Sequence, residues 1–164
     1  MAEIGDAKKL FEHELGTALG AERKVLATLK KLEAKARRKE LKQQFHHHLE
    51  ETEGQIENVE QALRAIGAEG GHESDAANGI AVEGEKLLEK VDEELVDAVL
   101  LAAAAKTEHV EIAMYEGLIT KAEAMGADDV VALLEENLEQ EQHTLEEVKQ
   151  AAQRLSTELA AQAA

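Results

Sequence analysis

The stretch GAEGGHESDAANGIAVEGEKLLEKV, Gly67 to Val91, decides how the rest of the chain is connected. It holds Gly67, Gly70, Gly71, Gly79 and Gly84, then an apolar patch at Leu87, Leu88 and Val91, with Ser74 placed to start a small helix. The pattern on either side is different. Upstream, Ala7, Leu10, Phe11, Leu15, Ala18, Leu19, Val25, Leu26, Leu29 and Leu32 recur at spacings of three and four, which predicts an amphipathic helix over about 6–36. After the basic residues Arg37 to Lys39, the period resumes with Leu41, Phe45, Leu49, Ile56, Val59, Leu63 and Ile66, a second helix over 39–66 that Gly67 ends. Downstream, Leu95, Val96, Val99, Leu100, Ala103, Val110, Met114 and Leu118 predict a third helix over 92–125, stopped at Gly126. The fourth, over 128–158, opens on Asp128 and Asp129, which complement its dipole, and carries Val130, Leu134, Leu138, Leu145, Val148, Ala152 and Leu155. No segment alternates with period two, so the fold class is all-α.

Short connections make each helix pair an antiparallel hairpin, while Gly67–Val91 is long enough to run back along the bundle. Short, long, short is the connection pattern of a ferritin-like four-helix bundle, with the long crossover carrying a short extra helix. Residues 1–164 read as a single domain of this kind. A generic four-helix bundle with a loose loop is the plainer alternative.

Composition narrows the function. Of 164 residues, 35 are Asp or Glu and 18 are Lys or Arg, a net charge of −17 that repels nucleic acid and anionic membrane. Neither is expected as a partner. With no Cys, disulfides, zinc–thiolate sites and cysteine nucleophiles are excluded. The first ten residues lack an apolar signal core, and the longest apolar run, Ala98 to Ala105, is less than half a membrane span, so a cytoplasmic protein is expected. No phosphate loop, nucleophile elbow or Ser/His/Asp arrangement is present. The basic cluster Lys30, Lys31, Lys35, Arg37, Arg38, Lys39 and Lys42 is read as complementing the C-terminal dipole of the first helix.

The informative acids are those that interrupt an apolar stripe. Glu22 sits in the seam of the first helix between Ala18 and Val25, and Glu141 between Leu138 and Leu145 of the fourth. In the third helix Leu101, Ala104, Glu108, Glu111, Ile112 and Tyr115 share one face. In the second, the face of Phe45, Leu49, Ile56 and Val59 also presents His48, Thr52 and Gln55, with Glu51 at its margin. Of the run His46-His47-His48, neighbours lie about 100° apart on a helix, so at most His48 faces inward. His13, His72, His109 and His143 are isolated. Register then brings the acids level, because Glu111 lies 15 residues before Gly126 and Glu141 15 after it, while Glu22 and Glu51 are centred on the first hairpin's turn. Four or five carboxylates in a dry interior require cations. Two divalent ions meet that need, and oxygen-rich ligation suits iron or manganese. The bland alternative is a set of seam acids that snorkel or share protons.

The strings Leu10-Phe11-Glu12-His13-Glu14-Leu15, Ala21-Glu22, His48-Leu49-Glu50-Glu51-Thr52 with Gln55, and Lys106-Thr107-Glu108-His109-Val110-Glu111-Ile112-Ala113-Met114-Tyr115 resemble the YciE/YciF family of ferritin-like proteins. The resemblance runs from about Leu10 to Leu155. Glu108 and Glu111 ahead of Met114-Tyr115 also look like the third bundle helix of rubrerythrins, di-iron peroxide-reducing proteins. It implies a dimetal centre of two iron ions, with manganese as the other choice, a homodimer, and a part in bacterial stress responses. Carried over by position, Glu22, Glu51, Glu108, Glu111 and Glu141 are carboxylate ligands, with His48 and Gln55 as further candidates. Ferritin-like sites take a Glu-x-x-His pair from two helices. This chain departs from that rule, with Gly54 three residues after Glu51 and Thr144 three after Glu141, and it has Leu19 where the family often has Tyr. The expected function is a stress-response protein whose dimetal site reacts with a small oxidant, dioxygen or peroxide, in an oxidase- or peroxidase-like way. The alternative is a metal-free structural or partner-binding bundle.

Overall fold

The computed structural model describes residues 3–163, and among them every regular element is helical. In chain order these are α1 (Ala7–Lys35), α2 (Lys39–Ile66), α3 (Asp75–Leu88), a 3-10 turn (Glu93–Leu95), α4 (Val96–Ala124) and α5 (Asp128–Ala163). No helix is long and apolar enough to cross a membrane. The caps are local. Asp6 accepts the Lys9 N–H at 2.8 Å to start α1, and Ser74 accepts the Ala77 N–H at 3.3 Å to start α3. Gly67 and Gly126 close α2 and the α4–α5 turn at φ 68° and 67°, a conformation that costs glycine nothing.

α1 packs along α2 and α4 along α5, as two hairpins, and the bundle is completed where α2 meets α5 and α1 meets α4. α3, the crossover helix, lies against α4 and α1. The apolar stripes form two separate cores. One gathers Phe11, Leu15, Leu19, Val59, Leu118 and Leu134. The other gathers Val25, Leu29, Phe45, Leu100, Leu101 and Val148. Each bundle helix passes from one core to the other through buried polar residues: Glu22 in α1, His48 to Gln55 in α2, Glu108 and Glu111 in α4, Asn137 to Thr144 in α5. Four residues expected in the stripes, Ala7, Leu10, Leu95 and Val110, are exposed.

Two tertiary devices lie outside hydropathy patterning. The first is a notch in α1, where the Gly16 carbonyl accepts the N–H groups of Gly71 (2.9 Å) and His72 (3.2 Å), seating the crossover on the helix. A Cβ at Gly20 would stand 1.7 Å from the His72 carbonyl oxygen. Gly20→Ala therefore has to displace backbone, and a loss of about 2 kcal/mol is expected from chemical denaturation. Gly54→Ala is the control: it meets nothing within 4 Å on exposed α2 and gains up to about 1 kcal/mol. The second device is Asp97, buried in the first turn of α4, whose carboxylate accepts the Arg37 and Arg38 N–H groups at 2.7 and 3.0 Å. Asp97 thus satisfies donors at the start of α2 from the opposite hairpin. The basic turn differs from its expected role as well. Only Lys35 lies in the last turn of α1, while Lys31, Arg37 and Arg38 reach Glu85 of α3, Glu93 of the 3-10 turn and Glu158 of α5 at 2.8, 3.0 and 2.5 Å, the last pair joining the two hairpins.

Candidate metal centre

Between the two cores, donor atoms of His48, Glu108, Glu111 and Glu141 lie within 4.8 Å of one another, and all four side chains are buried. The equal spacing of Glu111 and Glu141 from Gly126 explains their meeting, since antiparallel helices bring residues equidistant from the turn to one height. Glu22 approaches from α1 and is fully buried. Its Oε1 accepts the Tyr115 hydroxyl, and the Tyr115 oxygen accepts the Asn137 amide at 3.0 Å. Asn137 also donates to the Gln55 carbonyl at 3.2 Å and accepts from Asn58 at 2.8 Å. Tyr115 is thereby fixed between Glu22 and a chain of amides that ends at half-buried Asn58.

The electrostatics are those of acids without a counter-charge. Burial, then the repulsion of Glu141, holds the Glu22 carboxyl well above the ordinary carboxylate range, against the opposing effect of the Tyr115 bond. Glu108 is raised by burial, then by the close approach of Glu141. Glu111 is raised by burial, then by Glu22 and Glu141. Burial lowers the His48 imidazole, so the ring favours its neutral form, although Glu141 and Glu51 pull the other way. Tyr115 is pushed up by burial and by Glu22. His48 Nε2 stands 3.7 Å from Glu108 and 4.0 Å from Glu141, too far for a hydrogen bond to either.

Unmet hydrogen-bonding capacity concentrates here. Both oxygens of Glu111 and of Glu141, Glu22 Oε2, Glu108 Oε2, His48 Nε2 and both amide atoms of Gln55 are buried without a partner. Orphaned buried polar atoms are costly, and so many on neighbouring side chains fit a bound cation. The donor set, carboxylates with a single imidazole, has the hardness that iron(II) or manganese(II) accepts.

The seven residues singled out by sequence fall into three groups. Glu108, Glu111, Glu141 and His48 converge; Glu22 and Gln55 are buried beside them. Glu51 is at the rim, its side chain 18% exposed, 3.4 Å from His47 and accepting the Thr144 hydroxyl at 3.3 Å. His46, His47 and His143 point outward beside surface acids. Asn137 was not anticipated, though its place one turn before Glu141 in the same seam was a readable signal.

Residues 6–161 match the family model DUF892, a domain of unknown function. The chain is 38% identical over 145 residues to protein YciF of Escherichia coli K12, covering 82% of this chain and 83% of that one. Against the crystal structure of the E. coli stress protein YciF the TM-score is 0.85 at 34% identity, over 93% of this chain and 98% of the other. YcfI of Rhodopseudomonas palustris, put forward as a structural protein, superposes with a TM-score of 0.86 at 33% identity, over 90% and 95%. A Xanthomonas campestris protein at 20% identity shares the fold, with a TM-score of 0.79 over 96% and 98%. On these matches the chain belongs to the DUF892 family, and it is a ferritin-like helical bundle related to the stress protein YciF.

Proposed function

We propose that this protein is a stress-response protein whose central carboxylate cluster holds two divalent ions, iron or alternatively manganese, for reaction with dioxygen or peroxide. The observation that carries the reading is the convergence of Glu108, Glu111, Glu141 and His48, with Glu22 beside them, on a buried space where, among the described residues, no Lys or Arg pairs with them. Glu111 and Glu141 each offer two free oxygens, Glu108 and Glu22 one apiece, and His48 its Nε2. Gln55 is a buried neutral residue whose amide lacks a partner, and Glu51 an acid at the rim. When bound, the ions would supply Lewis acidity and electrons for oxidant reduction. The residues' own work is to exclude water from the cluster, to release protons as cations take their place, and, for Tyr115, to hold a hydrogen at Glu22 Oε1.

The test is anaerobic ferrous titration of untagged, chelator-free protein, followed by elemental analysis after desalting. About two ions retained per chain are expected, as for a dinuclear site. Retention of less than one would leave the metal-free reading, in which Glu108 and Glu141 share a proton and the bundle serves as a scaffold. That reading draws on the closeness of their carboxylates, with donor atoms within 4.8 Å, and on the structural role put forward for the relative YcfI.

A further inference from the structure

Two small voids adjoin beneath α3. One of about 40 Å³ has Leu32, Ile80, Ala81, Leu88 and Leu100 in its wall. Its neighbour, about 20 Å³, is walled by Val25, Leu29, Ala77, Ala81 and Ala104, and it touches Glu108. Thr28, Leu32, Ala81 and Thr107 line both. The space exists because small residues face each other where the crossover helix lies on the bundle: Ala77, Ala81 and Gly84 of α3 recur at helical spacing, against Ala103 and Ala104 of α4.

Each void is large enough for one or a few waters, but most of its wall is apolar, whereas a buried water needs two to four polar partners. Both shared threonines spend their hydroxyl protons on their own helices, Thr28 on the Lys24 carbonyl at 2.9 Å and Thr107 on the Ala103 carbonyl at 3.0 Å. Lys31 and Glu85 are paired at 2.8 Å, and the other lysines of the walls, Lys24 and Lys35, are half-buried and exposed. Glu108, in the wall of the smaller void, is almost wholly buried, and its Oε2 has no partner. Hydrogen peroxide would lose its hydrogen bonds on entering such a space, whereas a small apolar gas loses none.

We propose that the paired voids under α3 are a binding and entry site for a small apolar gas, dioxygen in particular, leading to the Glu108 side of the carboxylate cluster. The use of that gas rests on the proposed metal function; its residence does not. The route favours dioxygen over peroxide as the oxidant arriving from this face, and it gives the crossover helix a task beyond connection.

The test is methyl NMR of the metal-free protein under dioxygen pressure, with argon as the diamagnetic reference. Ala77, Ala81 and Ala104 are expected to relax severalfold faster than Ala18, Ala62 and Ala122, which are equally or more deeply buried but away from the voids. Ala81→Leu should fill the space and remove most of the enhancement at Ala77 and Ala104. Equal relaxation at all six alanines in the wild type, or water contacts at Ala81 in place of the dioxygen effect, would overturn the proposal. A failed ferrous titration with enhanced Ala81 relaxation would sink the metal reading alone, and retained iron without the enhancement would sink this inference alone.

Discussion

Glu111→Leu is expected to melt several degrees above the wild type when both are free of metal, and below it once ferrous or manganous ions are supplied. In the metal-free protein Glu111 is a carboxyl with both oxygens unpartnered, kept protonated by burial and by Glu22 and Glu141. Leucine is of similar size and asks for no partner. Replacing buried polar clusters with apolar residues has stabilised other proteins by about 1–4 kcal/mol, and each kcal/mol moves the melting temperature of a domain this size by roughly 2–4 °C. Ions reverse the order because whatever binds the folded state alone stabilises it by mass action, about 2.7 kcal/mol at a hundred times Kd. The leucine variant has lost two donor oxygens and gains little. Calorimetric scans of both proteins, anaerobic, with and without ions, check this. A lower metal-free melting point for the variant would mean that the acid is not strained, and an equal ion-induced rise in both would mean that Glu111 is no ligand.

Acidification should strengthen the metal-free protein over a range in which most proteins are indifferent or weakened. Glu22, Glu108 and Glu111 have folded-state values raised above the ordinary 4.5, so the folded chain binds more protons than the unfolded chain at any pH between the two. Stability then falls as pH rises, by roughly 1 kcal/mol per pH unit for each carboxyl that still retains its proton. Their contribution is complete below the unfolded value and is lost as pH climbs through the raised ones. His48 acts in the opposite sense, since its lowered folded value removes stability as pH falls below the ordinary 6.5. Three acids outweigh one base. Urea unfolding of metal-free protein between pH 8 and pH 5 is expected to give a rising midpoint on acidification, and bound ions should abolish or invert the trend by displacing the protons. A flat or falling metal-free midpoint would show that the carboxyls ionise at their usual values.

Much of this was readable in the chain. Periodicity placed the four bundle helices within a few residues, and Ser74 and Gly67 marked where the crossover helix begins and α2 ends. The seam acids were visible because an acid in an apolar stripe either finds a partner or is an error of register, and symmetric spacing about Gly126 turned Glu111 and Glu141 into a pair. Long-range satisfaction of single donors was not visible. Asp97 answers two N–H groups about sixty residues away, and Gly16 and Gly20 are small because a segment more than fifty residues downstream lies on them. Nothing in local pattern marks either. Glu51 shows the same limit at the site: its place at the helix margin was legible, but its capture by Thr144 and His47 depends on how α5 presents its side chains.

Tyr115 is the sole tyrosine of a chain without tryptophan, and its hydroxyl is bonded to Glu22 and Asn137. Nearly all light absorbed by the protein at 280 nm is therefore absorbed by one buried ring bonded to Glu22 at the edge of the cluster. A change in the charge or bonding of Glu22 will appear in the ultraviolet absorption and emission of the unmodified protein, free of background from any other phenol or indole. The fold has, in effect, installed an optical probe beside its buried acids.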